Sequence, residues 1–358
     1  MKLIHDNIIY SIQKWGGISN YWSEIRKNII VNSNLEVTNL EVETNIISNN
    51  FKNDQNFEII KDRRHFVKFL ERYQNPFPKL DENHLFHSSY YRYSKNPKSI
   101  NITTAHDFTY ELHWSGIKKY VHIAQKTKAL NNSNSIICIS NFTRDLMLKL
   151  YPNLSKKRIE VIYNGINAKE LLDNSKLNFK KFIRFEEDEY ALYIGDRKAL
   201  YKNFRIACRA VELSKVPLVI VGGGSLTSNE LLLLQNINYQ HVLFASDQEL
   251  SYLYSKALLL LYPSISEGFG IPLIEAQILG CPIISTNKSC IPEIAGEGAI
   301  LLDKIDKYSL SSSIDEILRK SQTRDKLVEL GYLNASRFSW DKTRKETIEL
   351  YKDLIDEK

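Results

Sequence analysis

The sequence predicts an α/β protein made of two doubly wound parallel sheets. Short β-rich apolar runs alternate with helical periodicities along most of the 358 residues, the pattern of parallel strands covered on both faces by helices. A chain of this length exceeds what one hydrophobic core usually serves. The polar stretch KELLDNSKLNFKKFIRFEEDE, residues 169–189, lies between a strand ending at Tyr163 and one starting at Tyr190, as a linker with a short helix would. The reading therefore places one domain over residues 1–168 and another over 187–338, with 339–358 returning to the first.

Taken in order, the strand candidates are residues 8–12, 35–42, 99–104, 135–140, 159–163, 190–194, 217–221, 242–244, 258–262, 282–285 and 299–302. Each is a short run rich in β-branched or aromatic residues. Residues 21–30, 117–131, 143–151, 204–214, 247–256 and 272–280 space their apolar side chains at helical intervals. The last helix runs from Trp340 to about Asp356. Ser339 is its candidate N-cap, and Thr347, Ile348, Tyr351, Leu354 and Ile355 form its apolar stripe. No fixed-period repeat and no low-complexity tract interrupts the alternation.

Composition narrows the function. Hydrophobic residues make up 43% and charged residues 25%, which excludes a disordered or collagen-like chain. Cys138, Cys208, Cys281 and Cys290 form no CxxC pair, so buried thiols in a reducing compartment are expected rather than a disulfide scaffold. The longest apolar run, residues 257–262, is far short of the roughly 20 residues of a spanning helix. The opening MKLIHDNIIY breaks its apolar stretch with His5, Asp6 and Asn7, unlike a signal peptide. The net charge of +6 is uneven: residues 1–170 hold 24 basic and 16 acidic residues, and the remainder is slightly acidic. The basic half suggests an anionic partner, for which nucleic acid, an anionic membrane and a phosphorylated substrate all qualify; a solvated helix face is the plainer alternative.

Doubly wound sheets bind ligands at the carboxyl ends of their strands, so the loops there carry the functional reading. Residues 262–280, YPSISEGFGIPLIEAQILG, read as strand, glycine loop and helix. Gly268 and Gly270 admit close backbone approach, and Pro272 suits a first helical turn. The N–H groups at such a helix start suit phosphate oxygens. Glu275, one turn in among apolar neighbours, offers two oxygens to a ribose diol. Glu267, eight residues earlier, can accept from sugar hydroxyls. The spacing alone proves little, since Glu349 and Glu357 repeat it on a polar tail; the loop and glycines make the first pair informative. After strand 190–194 comes GDRKALYKNF, where Arg197 and Lys202 can neutralise a diphosphate or form a solvated basic turn. VIVGGGSL lacks the G-x-G-x-x-G fingerprint, which argues against a nicotinamide cofactor. Near the start, Gly16 and Gly17 precede a helix and fit either an anion site or a tight turn. His106 follows strand 99–104 and can face a cleft or be packed. There is no Asp-x-Asp pair and no metal-ligand spacing of His, so no metal cofactor is expected.

These segments resemble glycosyltransferase family 4, retaining nucleotide-sugar enzymes with two facing Rossmann-like domains, the GT-B fold. SEGFGIPLIEAQILGCPIISTNKSCIPEIAG carries the signature. WGGISNY, HDFTYE, SIICISNFT, VIYNGIN (which contains Asn164), GDRKALYKNF, VIVGGGSL, SDQELSYLYSKA and the closing FSW extend the resemblance along nearly the whole chain. It is weakest over residues 43–98. Bacterial O-antigen and capsule enzymes, including mannosyltransferases, are the most similar members.

The resemblance implies that Glu275 binds the nucleotide ribose and Glu267 the donor sugar. Arg197 and Lys202 hold the diphosphate. The backbone of Gly268, Phe269, Gly270 and Ile271 meets sugar and phosphate, and Gly17 meets phosphate from the other domain. His106 lies by the sugar. Asn164 belongs to the donor-binding set, and the backbone up to Ser246 faces the base. The implied partners are a nucleoside-diphosphate sugar, GDP-mannose or a relative, and a glycan or polyprenyl-linked oligosaccharide acceptor. A cytoplasmic protein, peripheral on an anionic inner membrane face, would suit the basic half. Two other classes are the alternatives. A nucleotide-sugar epimerase or hydrolase of the same fold fits the signature less well. A nucleic-acid-binding α/β protein lacks its clustered basic helix and aromatic strand motif.

Overall fold

The computed structural model describes residues 2–13, 16–27, 29, 35–42, 58–62, 68–177 and 182–357. Its backbone divides into two units, Met1–Gly165 with Trp340–Lys358, and Ile166–Ser339. The first holds a seven-stranded sheet of β1 (Lys2–Asp6), β2 (Glu36–Val42), β3 (Glu58–Asp62), β4 (His84–Ser88), β5 (Ser99–Ala105), β6 (Ser135–Cys138) and β7 (Arg158–Val161). Their order is β3-β2-β1-β4-β5-β6-β7, with parallel pairing throughout. The second holds β8 (Ala191–Ile194), β9 (Leu218–Val221), β10 (Tyr239–Val242), β11 (Leu259–Tyr262), β12 (Ile283–Thr286) and β13 (Ile300–Leu302), ordered β10-β9-β8-β11-β12-β13 and again all parallel. Parallel strands need crossovers, and helices such as Phe204–Ser214 and Asp247–Lys256 supply them.

The last helix, Trp340–Asp356, belongs to the first unit. Its Ile348, Tyr351 and Leu354 share a buried cluster with Leu3, Leu85, Ile100 and Ile137 of the sheet. Trp340 packs with Ile9, Tyr21 and Trp22. Thr343 Oγ1 donates to the Tyr163 carbonyl at 2.7 Å. Each fully buried Leu, Ile or aromatic side chain contributes about 1.5–3 kcal/mol, so the apolar stripe is what draws this helix onto the sheet. In the second unit, Ala191, Tyr193, Leu218, Ile220, Leu259 and Leu261 meet Ala207, Val211, Leu310 and Ile314 of the covering helices.

Several elements differ from the sequence expectation. Residues 8–12 are not a strand: Ile9–Ile12 is a helical turn, and the first strand is Lys2–Asp6. Asp6, one of the polar residues that break this apolar stretch, is satisfied in the interior. The Asp6 carboxylate accepts from Arg92 Nε at 2.9 Å, Arg92 Nη2 at 3.0 Å and Ser88 Oγ at 2.8 Å. The strand β4, HLFHS, was hidden by its two histidines. His87 Nδ1 lies 2.6 Å from the Tyr351 hydroxyl and its Nε2 2.9 Å from Thr104 Oγ1. Strand 242–244 is displaced to Tyr239–Val242, leaving Phe244 exposed. Helices Ser228–Leu234, Lys307–Arg319 and Ser321–Ala335 were not anticipated. The segment read as a linker contains helix Ala168–Ser175, which packs on Asp247–Lys256 within the second unit.

In both sheets the strand order reverses beside the first strand, between β1 and β4 and between β8 and β11. Such a switch point opens a crevice at the strand carboxyl ends. GDRKALYKNF leaves β8 and the signature loop leaves β11, so the two motifs flank the switch point of the second sheet.

Candidate active site

The two loops are tied to each other. Asn203 Nδ2 donates to the Pro263 carbonyl at 2.8 Å, and the Ile265 N–H to the Tyr201 carbonyl at 2.9 Å. Asn203 itself is left-handed, with φ of 53°, a conformation Asn tolerates better than most residues. This stitching brings Lys202 to Glu267: their side chains form an ion pair, and Lys202 Nζ lies 3.4 Å from the Tyr262 hydroxyl. The Lys202 and Glu267 side chains retain 15% and 12% of their exposure, so the pair is half-enclosed yet reachable. Burial and the Glu267 charge push the Tyr262 hydroxyl well above its ordinary pKa, and it stays protonated.

The turn after Glu267 is fixed from beneath. The Glu267 N–H donates to Ser289 Oγ at 3.2 Å, and Cys290 Sγ approaches the carbonyls of Glu267 and Phe269 at 3.3 Å each. The Phe269 side chain is buried, edge-on to Phe338 with centroids 5.7 Å apart, so at this position only the backbone is placed to meet a ligand. Gly270 precedes helix Ile271–Ile278 at φ of +92°, and a Cβ there would meet Leu273 Cδ1 at 3.0 Å; glycine is required. No side chain caps this helix. Its first-turn N–H groups and partial positive charge therefore lie beside the Lys202–Glu267 pair in sequence and fold.

Glu275 stands one turn along. Its Oε2 accepts from the Tyr254 hydroxyl at 2.9 Å, and burial raises its pKa to about 7, against the lowering effect of that hydrogen bond and with the Asp247 charge adding to the rise. A carboxyl kept so near half-ionisation at neutral pH is a frequent mark of a functional site. Ser246 caps helix Asp247–Lys256 in a reciprocal box with Glu249, so its hydroxyl is already engaged within the chain.

Arg197 is arranged differently from the sequence expectation of a diphosphate clamp. Its side chain is almost wholly buried. Nε donates to Glu230 Oε1 at 2.8 Å, Nη2 to the Gly224 carbonyl at 2.7 Å, and Nη1 to the Gly222 carbonyl. Gly222, Gly223 and Gly224 all have φ between +74° and +77°, and a Cβ on Gly223 would stand 2.5 Å from Arg197 Nη1. The guanidinium fork thus fastens the glycine loop after β9.

The remaining predicted residues lie in the first unit. Gly17 opens helix Gly17–Arg26, with no neighbour within 4 Å of an added Cβ; the adjoining Lys14 and Trp15 lie outside the described residues. His106 directly follows β5. It is buried, edge-on to Tyr21 at 5.0 Å, and burial depresses its pKa to about 4, which makes it a neutral imidazole at pH 7. Asn164 is buried, and among the described residues its Oδ1 has no hydrogen-bond partner.

With this geometry in place, comparison with known proteins is decisive. The family model "Glycosyl transferases group 1" matches residues 174–334, and "Glycosyltransferase Family 4" matches residues 61–170. The chain belongs to glycosyltransferase family 4. This glycosyltransferase is 26% identical over 271 residues to O-antigen chain mannosyltransferase B of Escherichia coli, covering 71% of the chain and 70% of that protein. It is 31% identical over 191 residues to the Salmonella typhimurium O-antigen chain mannosyltransferase RfbU, covering 51% and 50%. Its fold resembles sucrose-phosphate synthase from Thermosynechococcus elongatus, with a TM-score of 0.73, 17% identity and full coverage of both chains. It also resembles WaaG, a glycosyltransferase of lipopolysaccharide biosynthesis, with a TM-score of 0.67, 14% identity and coverage of 98% and 99%. These likenesses establish a GT-B architecture for the glycosyltransferase.

The sequence reading missed Tyr254, which holds Glu275, and Ser289 and Cys290, which hold the signature turn. It also missed Glu230, the partner of Arg197. The last was legible: Thr227 and Glu230 stand at capping-box spacing, and they form that box in the structure.

Proposed function

We propose that the protein is a retaining hexosyltransferase of bacterial surface polysaccharide synthesis. Its donor is a nucleoside-diphosphate sugar, GDP-mannose or a close relative, and its acceptor a glycan or polyprenyl-linked oligosaccharide. The similarity to O-antigen mannosyltransferases supports the pathway and the sugar. The Lys202–Glu267 pair beside the uncapped helix start at Ile271 carries the assignment of the donor site. In this reading the protein works at the cytoplasmic face of the membrane, in peripheral contact with anionic lipid, and needs no metal.

The chemistry follows from the charges. Cleavage of the anomeric C–O bond puts negative charge on the departing β-phosphate and positive charge on the sugar ring. The Lys202 ammonium and the N–H groups of the helix start are preorganised for the first. Glu267 releases Lys202 to the phosphate and accepts from the sugar hydroxyls. Glu275 accepts from the ribose diol; Gly17, His106 and Asn164 remain in the proposed donor-binding set. Arg197 acts through the loop it fastens. The departing phosphate oxygen takes the proton of the acceptor hydroxyl, which attacks from the same face, so configuration is retained. A thermal-shift panel of GDP-, UDP-, TDP- and CDP-sugars tests the donor class. Stabilisation by GDP-sugars above the others is expected; no shift with any nucleotide sugar would overturn the donor site.

A further inference from the structure

Tyr262 closes strand β11 at the switch point of the second sheet. Its ring is buried, and a phenylalanine would fill the same volume. Packing alone does not explain the hydroxyl, since burying one without a partner costs free energy. Other buried tyrosines of this unit spend theirs on the backbone: Tyr190 donates to the Leu253 carbonyl at 2.6 Å and Tyr193 to the Lys202 carbonyl at 3.2 Å. The Tyr262 hydroxyl instead meets two charged side chains. It accepts from Lys202 Nζ at 3.4 Å and donates to the Glu267 carboxylate. The centre of its ring lies 5.2 Å from the same ammonium.

The surroundings are fixed except for the lysine side chain. Tyr262 pairs with Ser285 in the sheet, and Ser285 Oγ donates to its carbonyl at 2.6 Å. Tyr193 holds the Lys202 carbonyl, and Ser289 and Cys290 hold the backbone of Glu267. What stays free to move is the flexible stem of Lys202. A donor diphosphate competes with Glu267 for its ammonium. When the ammonium turns to phosphate, a half-enclosed carboxylate is left behind, and such a charge is costly without a hydrogen-bond donor. The Tyr262 hydroxyl is the donor that stays. One hydrogen bond from it leaves the other lone pairs of the carboxylate to sugar hydroxyls.

We propose that Tyr262 is a positioning residue for the transfer reaction: its hydroxyl anchors Glu267 while Lys202 exchanges from that carboxylate to the donor phosphate. Tyr262 acts through Glu267 rather than on the sugar or the phosphate. The proposal rests on the donor site of the proposed function, and a ligand with the sugar compared with one lacking it separates failure of the one from failure of the other.

Tyr262→Phe keeps the ring and removes the hydroxyl, so the variant should fold. Its calorimetric affinity for GDP, which offers the diphosphate without the sugar, should change less than about threefold. Its rate of GDP release from GDP-mannose without acceptor should fall about tenfold or more, as expected for a lost hydrogen bond to a charged group. In a Glu267→Gln background the same substitution should cost less than about threefold, because the carboxylate it serves is gone. An undiminished release rate in Tyr262→Phe would overturn the proposal, and so would a full tenfold loss in the Gln background. GDP affinity falling in step with turnover, or a Phe variant that does not fold, would make the hydroxyl structural and overturn it equally. If the unaltered protein neither binds GDP nor releases it from GDP-mannose, the donor reading itself fails and the proposal falls with it.

Discussion

Replacing Glu275 by Gln is expected to stabilise the protein above neutral pH while weakening donor binding. Burial holds this carboxyl near a pKa of about 7, against an ordinary value of 4.5. The folded state therefore binds more protons than the unfolded state between those values. Stability carried by the protonated group is present in full below about pH 4.5 and is lost as pH rises through about 7. At about 1.4 kcal/mol per pH unit, the loss by pH 8 is about 3 kcal/mol, and a neutral amide escapes it. Binding runs the other way. Only the ionised carboxylate accepts from both hydroxyls of a diol, and its population rises about tenfold between pH 6 and pH 8 for a pKa near 7. Donor affinity should rise by up to that factor across this range and become flat with pH in the Gln variant. Tyr254→Phe removes the hydroxyl that favours the charged form, so its binding curve should shift to higher pH. Calorimetric titration of donor from pH 6 to pH 8, with melting temperatures at each pH, reads both effects. Donor affinity independent of pH in the unaltered protein, or a Gln variant less stable at pH 8, would refute the reasoning.

Other substitutions separate the site from its support. Lys202→Ala should lower kcat about 100-fold or more through loss of a preorganised charge, with a smaller effect on donor affinity, as steady-state kinetics would read. Arg197→Ala should cost about 3–5 kcal/mol of stability by removing the charged partner of the buried Glu230 carboxylate, and Gly223→Ala, which drives a Cβ into Arg197 Nη1, should reproduce much of that loss of stability; an Arg197→Ala protein of unchanged melting temperature would contradict the fastening role. Arg92→Ala should destabilise the first unit by about 3–5 kcal/mol, because the buried Asp6 carboxylate then loses its Arg92 guanidinium, and denaturant unfolding would measure it.

The second unit was legible because its elements obey simple patterns. Helices Phe204–Ser214 and Asp247–Lys256 start and stop where their periodicity does, and the signature loop announces itself through Gly268, Gly270 and Pro272. The central strands of the first sheet were not legible. β1 ends in His5 and Asp6, and β4 contains His84, His87 and Ser88, all buried. Period-2 and apolar-run rules treat such residues as breaks, yet Arg92, Thr104 and Tyr351 satisfy Asp6 and His87 from afar in the chain. Arg197 shows the same limit at the site: a cation after a strand reads as a ligand for phosphate, and only the fold reveals that Glu230 and two glycine carbonyls already hold it.

The proposed function turns on a same-face displacement at the anomeric carbon of the donor sugar. Time-resolved proton NMR of the sugar released when water replaces the acceptor tests this most directly. Such a displacement predicts that the first-formed sugar keeps the donor's anomeric configuration and that Lys202→Ala slows its release about 100-fold or more. A first-formed sugar of the opposite configuration would contradict it.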